Sequence, residues 1–180
     1  MSHLHFAHSL WQAQVRPEDV VIDATCGNGH DTLFLSGLVP AGKVFAFDIQ
    51  EKAIQNTREL LKKHGREERV ALFQKSHVEL RGVPSPPRLI VYNLGYLPGG
   101  DKGVTTQTNT TLESVRVSLE ILPKESALSI TCYPGHSEGE REEKALVEFL
   151  ATLPSHQWTI RYHQWVNRLK APSLFWIVRS

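Results

Sequence analysis

Residues 23–32 read DATCGNGHDT and follow the apolar run Val20, Val21, Ile22. A short β-branched run, then two glycines around one asparagine, then a polar stretch turning helical, is the pattern of a buried strand ending in a tight turn that opens a helix. In an open α/β sheet the carboxyl ends of the strands are where ligands bind. The GNG turn lies at such an end. Glycine at 27 and 29 leaves room for a ligand to approach the backbone and permits dihedrals closed to other residues. Asp48 ends the next apolar run, 19 residues after Gly29. That spacing brings a carboxylate to a ribose hydroxyl pair. A nucleoside is therefore expected on the turn.

Working outward, strand-like runs are expected at 20–26, 43–49, 70–75, 88–95, 126–133, 158–165 and 173–179. Helices are expected at 31–38, 51–63, 105–122 and 139–153, with a short turn at 77–82 and an N-terminal helix, 3–15, lying over the ligand edge. The alternation predicts a Rossmann-like, doubly wound α/β sheet. The last two strands are joined by only a short link, Asn167–Pro172, so they form an antiparallel hairpin rather than a crossover. The expected order is 3-2-1-4-5-7-6 with strand 7 antiparallel, in one domain spanning 1–180.

Composition narrows the classes. The 180 residues are 41% hydrophobic and 22% charged with a formal charge of +1, as in an ordinary globular protein. Net charge gives no argument for a polyanion partner, so any such claim rests on local features. The start, MSHLHFAHSLW, has no basic n-region or long apolar core, and no run reaches the roughly 18 apolar residues of a membrane span. The default expectation is cytoplasmic, with no membrane partner. Cys26 and Cys132 fall on strands one and five, about 10 Å apart with strand four between them, too far for a disulfide.

Charge decides which nucleoside. A dinucleotide site wants a third small residue at 32 and an uncharged helix start for pyrophosphate. Here 32 is Thr and 31 is Asp. Carboxylates at Asp23 and Asp31 repel phosphate and suit S-adenosylmethionine, which has a sulfonium and an ammonium and no phosphate; the alternative for Asp31 is a helix cap. No GK[ST] follows, which excludes a P-loop.

The fourth strand ends in NLGYLPGGDK, residues 93–102. Asn93 offers a carbonyl oxygen to an amine and Tyr96 a ring face to a base, which is what aligning a nitrogen lone pair with a methyl donor requires. The stretch resembles the Asn-Pro-Pro-Tyr motif of amino-directed methyltransferases, with LG in place of PP. Asp101 is a candidate acceptor of the amine proton or a turn-stabilising aspartate. His136, in CYPGH at the end of the fifth strand, either meets the target or caps the next helix. Cys132 is either the nucleophile of a carbon methylation or a buried thiol.

Together, DATCGNGHDTLFLS, FAFDIQEKAIQNT, SHVEL, NLGYLPGGDK and YPGHSEGERE resemble the short class I methyltransferases long labelled rRNA methylases, and within them the MnmM-type tRNA methyltransferases. The resemblance implies methylation of the aminomethyl group of 5-aminomethyl-2-thiouridine at the tRNA wobble position; the older label implies rRNA. It implies that Gly27, Asn28, Gly29 and Asp31 line the methionine end, that Asp48 and Gln50 hold ribose and adenine, and that Ser76 and His77 flank the adenine. A methyltransferase acting on rRNA or a small amine, or a non-catalytic nucleotide-binding module, are the alternatives. The latter has no use for Asn93 and Tyr96.

For the anticodon region of tRNA as partner, two basic groups stand out. Arg58, Lys62, Lys63, Arg66 and Arg69 are diluted by Glu59, Glu67 and Glu68, whereas Arg161, Arg168 and Lys170 interleave with Tyr162 and Trp165. With no added RNA-binding domain, the catalytic domain or a homodimer of it must supply the contact surface.

Overall fold

The computed structural model describes residues 2–95, 99, 105–168 and 170–180. Tyr96 and Asp101 lie outside them. The chain runs α1 (His3–Gln14), β1 (Val20–Asp23), α2 (His30–Leu38), β2 (Lys43–Asp48), α3 (Glu51–Lys63), β3 (Val70–Gln74), β4 (Leu89–Asn93), α4 (Thr108–Ile121), β5 (Ala127–Cys132), α5 (Ser137–Leu150), β6 (Trp158–His163) and β7 (Ser173–Arg179), with 3-10 turns at Glu67–Arg69 and His77–Gly82. The sheet order is β3-β2-β1-β4-β5-β7-β6. Every pairing is parallel except those of β7 with β5 and β6. The expected order and strand directions are met.

The strands are buried on both faces, as a sheet covered by helices requires. Ile22, Ile90, Tyr92, Leu128 and Ile130 face α4 and α5, while Val21, Val44, Ala46, Leu89 and Val91 face α1, α2 and α3. In α3, Ile54, Thr57 and Leu61 share the buried stripe, and Lys62 and Lys63 sit in the last turn, where cations complement the helix dipole.

Two expectations change in extent. Strands one to six stop one to three residues early at the carboxyl edge; at the end of β4 the backbone leaves the ladder for the site, where Asn93 N–H donates to the Thr25 hydroxyl at 2.7 Å. Residues 24–26 still bond to neighbours, Ala24 N–H to the Val91 carbonyl and Cys26 N–H to that of Phe47, both at 2.9 Å, which is why they read as strand. The N-terminal helix also differs. Trp11 is fully buried and its indole N–H donates to Ser129 Oγ at 2.8 Å, in the middle of β5. Gln14 reaches the Glu125 carbonyl at the opposite edge. So α1 lies along a sheet face, and only its first turns, His3 to His8, reach the ligand edge. Cys26 and Cys132 are buried free thiols.

Candidate active site

The turn after β1 is riveted to α3. Gly27 and Gly29 have φ of 52° and 84°, the left-handed region that favours glycine. A Cβ on Gly29 would lie 2.8 Å from the Cα of Thr57. Glycine at this position is thus required by the helix behind the turn, independently of any ligand in front of it. Thr57 Oγ1 donates to the Gly27 carbonyl at 2.9 Å, and Asn56 Nδ2 to Asn28 Oδ1 at 2.8 Å. Asp48 accepts from Gly27 N–H at 3.0 Å and Gln50 N–H at 2.9 Å. Burial raises its carboxyl above the usual range, while those N–H groups pull it back. Ile49, 56% exposed between Asp48 and Gln50, adds an apolar surface that no polar motif marks.

Asp23 lies beneath this turn, fully buried. It accepts from Thr32 Oγ1 at 2.6 Å and Thr25 N–H at 3.2 Å. Burial pushes its carboxyl up to about 7. Asp31 sits above. It does not cap α2, whose N-cap is Gly29; its oxygens accept from Asn93 Nδ2 and meet His8 Nε2, each at 2.7 Å. His8, stacked on Phe34 with ring centroids 3.8 Å apart, brings α1 into the site. Because only the amide N–H₂ can face the carboxylate, Asn93 is left with its Oδ1 carbonyl as the group to offer a target.

Gly95 and Thr106 are tied together and held from α5. Gly95 N–H donates to Thr106 Oγ1 at 2.9 Å, and Thr106 N–H returns to the Gly95 carbonyl at 3.0 Å. Thr106 and Thr111 then donate their hydroxyls to the two oxygens of Glu142, at 2.8 and 2.6 Å. Glu142 is 1% exposed, and burial raises its carboxyl. One turn earlier Glu138 accepts from Thr108 N–H and Oγ1 at 2.9 and 2.8 Å, which caps α4 and holds the Glu138 carboxyl below its usual range. The stretch SEGERE contains both acids, but nothing in their spacing to residues 95–111 marked them as a clamp.

His136 is the N-cap of α5, its Nδ1 accepting from Gly139 N–H at 3.1 Å. Ser76 likewise caps the 3-10 turn at Val78 N–H. His77 is buried against Tyr92 and kept neutral, its pKa lowered to about 4 by desolvation. Tyr133, whose hydroxyl lies 3.2 Å from His3 Nε2, is pushed up to about 12 by burial and stays neutral. The structure thus gathers the ends of β1, β2 and β4 around one crevice with Asp31 and Asn93 between them. His136, as the N-cap of α5, lies between β5 and that helix.

This fold, with its acid-lined turn and an asparagine at the end of β4, defines a class I methyltransferase. The chain belongs to the family described as "Putative rRNA methylase", whose model matches residues 44–179. It is 36% identical over 185 residues, 96% of this chain and 68% of the other, to the chloroplastic tRNA (mnm(5)s(2)U34)-methyltransferase of Arabidopsis thaliana. It is similar to a crystal structure of the family's own description from Clostridium thermocellum, at 33% identity and TM-score 0.97, covering 100% of this chain and 98% of that one. A Streptococcus mutans "putative methyltransferase" solved in complex with SAH is 34% identical with TM-score 0.91, covering 100% and 99%.

Proposed function

We propose that this protein transfers a methyl group from S-adenosylmethionine to the aminomethyl nitrogen of 5-aminomethyl-2-thiouridine at the tRNA wobble position, giving 5-methylaminomethyl-2-thiouridine. The observation that carries the nitrogen chemistry is the Asn93–Asp31 pair: the amide N–H is committed to the carboxylate at 2.7 Å and the carbonyl remains for an N–H donor. The relation to the Arabidopsis enzyme supports the tRNA target.

The residues present fit the cofactor. Asp48 and the Gln50 backbone stand where ribose hydroxyls are held, Ile49 and the Ser76–His77 corner flank the adenine, and Asn28 and Asp31 line the methionine end. Asp23 acts on the turn from below rather than on the ligand. S-adenosylmethionine supplies, when bound, an electrophilic methyl on a sulfonium. The protein aligns the neutral amine with it, and the nitrogen lone pair forms the new bond as the carbon–sulfur bond breaks toward sulfur. An alkylammonium has a reference pKa of about 10, so a proton must leave before attack. Asp31 stabilises positive charge nearby until it does. A covalent route through Cys132 is disfavoured, because burial raises that thiol well above its ordinary range and a thiolate is the nucleophile such chemistry needs.

Tyr96, Asp101 and His136 complete the acceptor side in this reading. Two buried free thiols suit a reducing compartment, and we place the protein in the cytoplasm. No helix among the described residues is long and apolar enough to cross a membrane. Nucleoside mass spectrometry of tRNA from a deletion strain tests the function. The aminomethyl nucleoside should accumulate and its methylated product vanish; loss of an rRNA methyl group instead would overturn the reading.

A further inference from the structure

The charge of this chain is unevenly divided. All 19 acidic residues precede residue 149, so the last 32 residues hold Arg161, Arg168, Lys170 and Arg179 with no Asp or Glu among them. The rest of the molecule is net acidic. Arg179 is spent on the fold: it lies over Trp158 and donates to the Leu122 carbonyl. The other three lie on β6 and on the link that follows it. Since β6 runs parallel to β1–β5, residues 164–168 leave the sheet at its carboxyl edge, the same edge as Asn93, and 170–172 return to it.

From the end of β4 to this hairpin the rim is continuous. β4 and β6 are three strand positions apart, about 14 Å at ordinary strand spacing. The first turns of α1 bridge the interval: His8 meets Asp31, His3 meets Tyr133, and Phe6 packs edge-on against His163 with centroids 4.8 Å apart. On the hairpin the Arg168 guanidinium lies 4.8 Å over the half-buried ring of Trp165. Val166 is fully exposed, and Arg161, Arg168 and Lys170 are exposed too. None of these three cations pairs with a carboxylate among the described residues. The α3 group differs in its place on the sheet and in the acids Glu59, Glu67 and Glu68 interspersed with it. Helices that follow parallel strands end at the opposite edge, so Lys62 and Lys63 point away from the crevice and stand among acids.

We propose that the β6–β7 hairpin, through Arg161, Arg168, Lys170 and Trp165, is the RNA-contact surface of the protein, holding the phosphates and one stacked base of the single-stranded segment that flanks the target nucleoside. This rests on the tRNA reading above. Unpaired cations serve a phosphate backbone, and an aromatic ring with a cation over it is a stacking platform that tolerates any base. An acidic crevice beside a basic rim also assigns the two ligands. The cationic cofactor goes to the carboxylates and the polyanion to the hairpin.

The test uses the full chain and tRNA purified from a deletion strain, with binding measured by fluorescence anisotropy across a salt series. Removing both cations (Arg168→Ala with Lys170→Ala) should weaken tRNA binding about tenfold or more and reduce the slope of log K against log salt by about 1.4–1.8. Trp165→Ala should weaken it by about 5- to 150-fold with the slope unchanged. S-adenosylmethionine binding by calorimetry and the melting temperature should stay as in the unaltered protein. The pair Lys62→Ala with Lys63→Ala should leave tRNA binding as it is. Folded hairpin variants that bind tRNA with unchanged affinity and slope would overturn the proposal while an active parent protein kept the tRNA reading. Variants that lose self-association in sedimentation but retain tRNA affinity would overturn it in favour of a contact between copies. A parent protein that binds no tRNA would overturn both.

Discussion

The two sides of the crevice are each anchored by one buried carboxylate, and they are built in opposite ways. Beneath the cofactor side, Asp23 takes its bonds from Thr25 and Thr32, two and nine residues away. Behind the acceptor side, Glu142 takes its bonds from Thr106 and Thr111, 36 and 31 residues away. The first anchor forms with its own turn. The second exists only when α5 is docked beside α4, so Gly95 and Thr106 are held by tertiary structure and not by their neighbours in the chain. The lesson is that cofactor binding and target positioning can be perturbed separately.

The largest effect should come from the acceptor side. Asn93→Ala removes the carbonyl offered to the target and leaves Asp31 without one partner, and should raise the barrier by about 2–4 kcal/mol, the range seen when an oriented polar group is lost from a catalytic site. Single-turnover rates on tRNA from the deletion strain measure it, alongside calorimetry with the cofactor. A comparable loss of cofactor affinity would erase the division between the two sides.

On the cofactor side, Asp48→Ala should weaken S-adenosylmethionine binding by about 1.5–3 kcal/mol, as hydrogen bonds to a charged group disappear. Turnover at saturating cofactor should change little. Unchanged affinity would place the ribose elsewhere.

Next in size, Glu142→Ala leaves the hydroxyls of buried Thr111 and half-buried Thr106 without their acceptor, a cost of about 1–3 kcal/mol in stability, read by thermal melting. A loss of stability alone does not separate the two anchors. Glu142→Gln, which keeps one carbonyl oxygen for a threonine, should recover most of the stability and part of the turnover, with cofactor affinity constant throughout. If cofactor affinity falls in step with turnover, Glu142 supports the whole domain and not the acceptor side.

The same contrast explains what could be read from residues alone. The strands themselves, the glycine turn, Asp48 and Asn93 are short-range patterns: apolar runs, positive-φ residues, and an acid one crossover away. They were legible because each is made by neighbours in the chain. The Asp31–Asn93 bond, the reach of His8 and the Glu142 clamp join residues 62, 23 and more than 30 positions apart. No spacing rule ties those together. Gly29 was legible for an incomplete reason, since the Thr57 backbone behind it excludes a Cβ as firmly as a ligand in front would. The helix at 3–15 was correct in kind, but its course was set by the Trp11–Ser129 bond, which pins it along the sheet face.

The smallest effect isolates the near anchor through its titration. Burial is the main cause that raises Asp23 from 3.8 to about 7, with the Thr32 bond opposing it and Asp31 and Asp48 adding to it. In the unfolded chain the group loses its proton near pH 4, and in the folded chain near pH 7. Between those values the native state binds the extra proton, so stability from this group falls as pH rises through the window and levels off above it. Asp23→Asn cannot lose that proton, and its amide oxygen can still accept from Thr32. The drop in melting temperature from pH 5 to pH 8 should therefore be smaller in the Asp23→Asn protein than in the parent, both measured without cofactor. Asp48 and Glu142 are also raised by burial, so part of the drop should persist. An identical pH profile in the two proteins would mean that Asp23 is ionised throughout, held by Thr32 and Thr25, and that the near anchor is a permanent charge rather than a titrating one.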